Sequence, residues 1–140
     1  MDDTTDPIPL EARCLDALQV ALEREPGSAS PLAIVVLFGS QASGRVRGES
    51  DLDIAVALDA PMTARERQRL EAAVSVVLQR DVDLVDLLCA PSHLVSQILR
   101  RGRILLGART PALGSLIYRM VSEREDILPY QRRMLEERVR

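Results

Sequence analysis

Asp51 and Asp53 stand two residues apart at the head of an apolar run, Ile54–Leu58, and Gly39-Ser40 closes an earlier one, Ile34–Phe38. Side chains on a strand alternate faces, so carboxylates at i and i+2 project together. Held that close they repel, and one must keep its proton unless a cation neutralises the pair. A hard divalent cation such as Mg²⁺ takes carboxylate oxygens and substrate phosphates at once. Gly39 permits a sharp turn and, lacking a Cβ, lets a phosphate approach the backbone. Ser40 adds a hydroxyl, and successive N–H groups in such a turn can form an anion nest. Carboxylates for metal on one side and a phosphate cradle on the other are the equipment for phosphoryl or nucleotidyl transfer. Taken alone, an Asp-x-Asp or a Gly-Ser is an ordinary turn or solvated edge. It is their coincidence beside two apolar strands that carries the chemistry. The Gly-x-x-x-x-Gly-Lys phosphate loop is absent, and the chain has no lysine.

Two further groups bear on this site. DVDLVDLL, Asp81–Leu88, reads as a third strand with Asp81 and Asp83 on one face and Asp86 on the other. A third acid there could complete a metal site and accept the proton of an attacking hydroxyl. The same acids could equally be edge-strand charges that discourage aggregation. Arg45 and Arg47 precede the carboxylates; either one contacts a nucleotide phosphate or both are solvated loop charges. A helix beginning after Ser40 would aim its N-terminus at the phosphate.

The positioning elements follow from periodicity. Leu10 to Glu23 carries Leu10, Cys14, Ala17, Leu18, Ala21 and Leu22 on one helical stripe, and Glu25-Pro26-Gly27-Ser28 stops it. The first strand is expected over about Leu32–Phe38 and the second over about Leu52–Leu58. Thr63-x-x-Glu66 is a capping-box pattern opening a helix with Leu70, Ala73, Val74, Val77 and Leu78 inward, ending near Arg80. Its charges, Arg65, Glu66, Arg67, Arg69 and Glu71, read as the wet face. Pro91-Ser92-His93 opens another helix with Leu94, Val95, Ile98 and Leu99 inward and Gly102 as its C-cap. His93 reads as surface. Arg103 to Leu106 suits a last short strand. From Pro111 the chain reads as helix to its end, divided at Pro129. That stretch is rich in apolar residues, and Tyr118, Tyr130 and the arginines nearby suit either an interface rim or simple intramolecular packing.

Composition bounds the rest. A length of 140 residues with 46% hydrophobic content suits one domain spanning 1–140, and the succession of strands and helices suits an α/β (α+β) layout, a small twisted mixed sheet with helices packed on it. Residues 1–8 are expected to fray and 111–140 to form a C-terminal helical extension. Aromatics are 2%, so the core must be aliphatic. All eighteen basic residues are arginine, so cationic help for a phosphate must come from Arg or metal. A net charge of −3 argues against direct nucleic-acid binding. Cys14 and Cys89 are too far apart for a metal knuckle and are read as structural, in a reducing compartment. The acidic start, MDDTTDPIPL, is the reverse of a signal peptide, and no apolar run reaches membrane-spanning length, so a cytoplasmic protein is expected.

Gly39-Ser40, ten residues, then Asp51-x-Asp53 resembles the signature of the polymerase-β-type nucleotidyltransferase superfamily. GSQASGRVRGESDLDIAV is a close fit, including Ala42, Gly44 and Ser50. The likeness extends through VDLVDL, Val82–Leu87, and the Ile98–Leu106 segment into the C-terminal helical region. The short length resembles the minimal nucleotidyltransferases, the MNT antitoxins of HEPN–MNT toxin–antitoxin pairs. The resemblance implies a nucleotidyltransferase fold and AMP transfer from ATP to a tyrosine hydroxyl of a HEPN ribonuclease toxin, an AMPylation that silences the toxin. It implies Asp51 and Asp53 as catalytic ligands of two Mg²⁺ ions, Gly39 and Ser40 as the phosphate grip, and Asp83 as the third carboxylate in preference to Asp81 or Asp86. The Arg-x₄₋₆-His motif of the toxin half is absent from this sequence. Other occupants of the same sequence pattern are a small-molecule (antibiotic) nucleotidyltransferase, though such enzymes generally carry a larger second domain, and a binding module that neutralises its partner stoichiometrically. An oligomer through the C-terminal helices is a further expectation.

Overall fold

The computed structural model describes residues 8–24, 31–39 and 52–125. Within them the order is α1 (Leu10–Arg24), β1 (Ile34–Phe38), β2 (Leu52–Ala57), α2 (Ala64–Leu78), β3 (Val82–Asp86), α3 (Ser92–Arg101), β4 (Arg103–Leu106) and α4 (Pro111–Glu125). The strands form one mixed sheet in the order β3-β2-β1-β4. β1 pairs antiparallel with both β2 and β4, and β2 pairs parallel with β3.

β1 is IVVLF, with no polar residue to turn toward water, so a strand made of it must be covered on both faces. Alternation divides the sheet between two aliphatic layers. Val35, Leu37, Leu52, Ile54, Val56, Val82 and Leu84 pack with α1 and α2. Ile34, Val36, Ala55, Ala57 and Leu87 pack with α3 and α4 through Val95, Ile98, Leu113 and Leu116. The expected α/β architecture is therefore present, and every expected element within the described residues forms.

The capping box holds. Thr63 Oγ1 accepts from the Glu66 N–H at 3.1 Å, and the Glu66 carboxylate accepts from the Thr63 N–H at 2.8 Å. α2 ends at Gln79, which adopts a left-handed backbone with φ 56°. Val77, expected inside, is 47% exposed, because α2 buries only the narrower stripe Leu70, Val74 and Leu78. Gly102 does stand at the C-cap of α3, but its φ of −83° is extended, not left-handed. Glycine is needed there for space. A Cβ would lie 2.6 Å from the Val36 Cγ1 and 2.6 Å from the Ile98 carbonyl oxygen, where the chain crosses from α3 into β4.

Cys14 is buried as expected, and burial pushes its thiol up to about 11. Cys89, the other cysteine read as structural, is exposed. Its Sγ lies 3.3 Å from the Asp86 Oδ2; partial desolvation, then that hydrogen bond, raise its pKa. α4 is fastened intramolecularly: Arg119 donates to the carbonyls of Leu88 at 2.8 Å and Leu87 at 3.0 Å. Tyr118 on the same helix remains exposed, while Tyr130 lies outside the described residues. No described helix is long and apolar enough to cross a membrane.

Two stability outcomes follow. Gln79→Gly should raise unfolding free energy by about 0.5–1 kcal/mol in urea titrations, since glycine carries no left-handed penalty. The Cys14 thiol ionises at about 11 in the fold against 9.0 ordinarily, so the unfolded chain loses its proton first as pH rises. Stability present below pH 9.0 is therefore lost toward pH 11, and Cys14→Ala should flatten that fall. The slope removed should amount to roughly 2–3 kcal/mol across the window.

Candidate active site

Phe38, Asp53 and Asp83 form one row across three strands, because Phe38 pairs with Asp53 and Asp53 pairs with Asp83. Parity puts this row on the face covered by α3 and α4, at the end of the sheet where β1 stops and β2 and β3 begin. Neighbouring strands lie about 4.8 Å apart, so directly paired carboxylates on one face can share a ligand. Asp53 is half-buried and Asp83 is exposed, so this end of the sheet opens to solvent at the acids.

Gly39 follows Phe38 with φ +77°, a conformation that favours glycine. A Cβ at this position would lie 2.2 Å from the Asp53 Oδ2 and 3.1 Å from its Cγ. The carboxylate of Asp53 therefore occupies the space a side chain at 39 would fill. The missing Cβ accommodates the acid directly, a role the turn argument from sequence did not include.

The three acids of the third strand separate cleanly. Asp83 pairs with Asp53, whereas Asp81 precedes the strand and its carbonyl accepts from the Leu52 N–H at 2.9 Å. Asp86 is 4% exposed on the opposite face, and its carboxylate is engaged in the scaffold. It accepts from the Met62 N–H at 2.8 Å and the Leu88 N–H at 3.0 Å, tying the approach to α2 onto the end of β3. Asp51, Ser40, Arg45 and Arg47 lie outside the described residues. Among the described residues no group of three His, Cys, Asp or Glu side chains converges closely enough to hold a metal ion. The described part supplies a pair, Asp53 and Asp83, of the hard oxygen donors that Mg²⁺ takes.

The sequence reading missed what holds Asp83. Arg67 and Glu71, assigned to the wet face of α2, are half-buried against β3. The Glu71 Oε2 accepts from the Leu84 N–H at 2.8 Å, and Arg67 donates to the Leu84 carbonyl at 3.1 Å. An Arg-x-x-x-Glu spacing is the signature of a surface pair along a helix, which is why the sequence concealed a contact to another element.

Residues 27–110 match the family described as Polymerase beta, Nucleotidyltransferase, a span that contains both apolar strands, the Gly-Ser turn and all the candidate acids. The chain belongs to that nucleotidyltransferase family. It is similar to the protein adenylyltransferase MntA of Shewanella oneidensis, 36% identical over 78 residues. That alignment spans 56% of this chain and 56% of the relative, little more than half of each. Among solved structures, a chain of a toxin–antitoxin complex with AMP-PNP superposes with a TM-score of 0.69 at 24% identity, covering 94% of this chain and 100% of that one. A chain from the complex of tri-AMPylated Shewanella oneidensis HEPN toxin with MNT antitoxin gives 0.63 at 23%, covering 93% and 96%. At these identities the likeness is one of fold, and it bears out the nucleotidyltransferase-like architecture expected from sequence.

Gly39→Ala should cost about 1 kcal/mol from backbone strain alone and displace the Asp53 carboxylate. Combined with Asp53→Ala, the added cost of that displacement should vanish while the backbone strain stays, and a double-mutant cycle in urea should show coupling of at least about 0.5 kcal/mol. Strict additivity would mean that the two residues do not compete for one space.

Proposed function

We propose that this chain is a Mg²⁺-dependent adenylyltransferase that moves AMP from ATP onto a tyrosine hydroxyl of a HEPN-type toxin, and so acts as its antitoxin. The in-register pairing of Asp53 with Asp83 beside Gly39 carries this reading. Membership in the nucleotidyltransferase family and similarity to MntA support it. The fold shared with toxin–antitoxin complexes, one of them with AMP-PNP, points the same way for nucleotide and partner.

The residues divide the work. Asp51, Asp53 and Asp83 would hold Mg²⁺, with two ions expected. Bound there, the metal supplies positive charge against the triphosphate and polarises the phosphorus to be attacked. Gly39 and Ser40 would offer backbone N–H groups to the phosphates, and Arg45 or Arg47 would add a cationic contact. Asp83, exposed at the mouth of the site, receives the acceptor hydroxyl's proton. The hydroxyl oxygen then forms a bond to the α-phosphorus, the bond to the bridging oxygen breaks, and pyrophosphate leaves with the electron pair. The products are an AMP ester and pyrophosphate. The reaction class needs positioning and charge more than covalent help from the protein, which fits a site built from acids and backbone.

The deciding experiment mixes the full chain with α-labelled ATP, Mg²⁺ and the protein encoded by its neighbouring gene. One or more AMP units, about 329 Da each, should appear on a tyrosine of the neighbour in intact-mass and peptide spectra. Asp53→Asn should reduce the rate by about a hundredfold or more, the scale on which loss of an electrostatic catalytic group acts. A stable complex without added mass would instead identify a stoichiometric binding module.

A further inference from the structure

Among the described residues β3 is an edge strand, with β2 on one side and no strand on the other. Asp81 and Leu87 bond inward to Leu52 and Val56 of β2, so the even residues Val82 and Leu84 turn their backbone groups outward. An edge of this kind is normally left to water or to another chain. Here α2 fills it. Ser75 Oγ accepts from the Val82 N–H at 3.2 Å, and Glu71 Oε2 accepts from the Leu84 N–H at 2.8 Å. Arg67 donates to the Leu84 carbonyl at 3.1 Å while its guanidinium pairs with Glu71 at 3.3 Å. The bonded groups lie immediately before and after Asp83.

We infer that Ser75, Glu71 and Arg67 are positioning residues for Asp83: they clamp the β3 backbone from outside, on both sides of the acid, and set its register against Asp53. The inference rests on the reading of Asp83 as a metal-holding carboxylate. A carboxylate moved by a fraction of an ångström loses its shared geometry with Asp53, so the clamp acts on metal affinity without touching the metal. Glu71 is the centre of the device. It contacts both the strand's N–H and the arginine that holds the strand's carbonyl.

The test compares the full chain with Glu71→Ala, Glu71→Gln, Ser75→Ala and Asp83→Asn. Each is titrated with Mg²⁺ at fixed ATP, and the midpoint of the ATP-dependent rise in melting temperature is recorded, with hydrogen exchange of residues 82–86 alongside. Glu71→Ala should raise the Mg²⁺ midpoint about tenfold and speed exchange at Leu84, the scale of effect that supporting groups have on metal sites. Glu71→Gln keeps an oxygen that accepts from Leu84 and should return the midpoint to within about twofold of the original. Should Glu71→Ala not fold, Ser75→Ala carries the same test, with a rise of about threefold expected. A lowered melting temperature with an unchanged Mg²⁺ midpoint, while Asp83→Asn shifts that midpoint, would show that the clamp only seals the edge and would overturn the inference. If Asp83→Asn leaves the midpoint where it is, the functional reading falls and takes this inference with it.

Discussion

Two carboxylates at directly paired positions on adjacent parallel strands are the constraint around which the described structure is arranged. Like charges facing each other across a ladder destabilise it, by a few tenths to about 1 kcal/mol. The sheet bears this because each acid is followed by buried residues. Ile54, Ala55, Val56 and Ala57 follow Asp53, and Leu84 follows Asp83. The aliphatic layers on both faces bind the strands together beyond the acids, so the repulsion is confined to one end. There β1 is followed by a glycine whose missing side chain gives the Asp53 carboxylate its place.

The two faces of the sheet have different duties. The α1–α2 face is the deeper aliphatic layer, and α2 also reaches around the open edge of β3 with Ser75, Glu71 and Arg67. The α3–α4 face carries the acids beyond its apolar cover. It is fastened by Arg119 to the loop after β3, and Asp86 fastens that loop again from the other side. β3 is thus held along its outer edge and just beyond its C-terminal end, by polar contacts that leave Asp83 itself exposed. Rigidity around a solvent-facing acid is what a site needs if its ligand must be met in a set geometry.

The sequence was most legible where physics is local. Runs of β-branched residues ended by glycine located β1, and Thr63-x-x-Glu66 located the start of α2, because strand burial and helix capping are decided within a few residues. Parity placed Asp86 on the opposite face from Asp83. It was least legible where one side chain has two plausible addresses. Arg67 and Glu71 satisfy the pattern of a solvated helix pair and of an edge-strand clamp equally well. Gly102 satisfies the pattern of a left-handed cap, yet its place is dictated by Val36, far away in the chain. Val77 fits a helical stripe wider than the surface available to bury it.

Sequence by itself determined the element order, the aliphatic two-faced sheet, the family, and the set of acids from which a site could be made. These depend on periodicity, capping and motif spacing, all of which are written in short stretches of chain. Only tertiary structure decided that Asp83 and not Asp81 or Asp86 stands opposite Asp53, that Gly39 yields its side-chain space to that acid, and that α2 grips β3 from outside. Those facts depend on register between strands and on which helix overhangs which edge, and both are set by packing between residues distant along the chain.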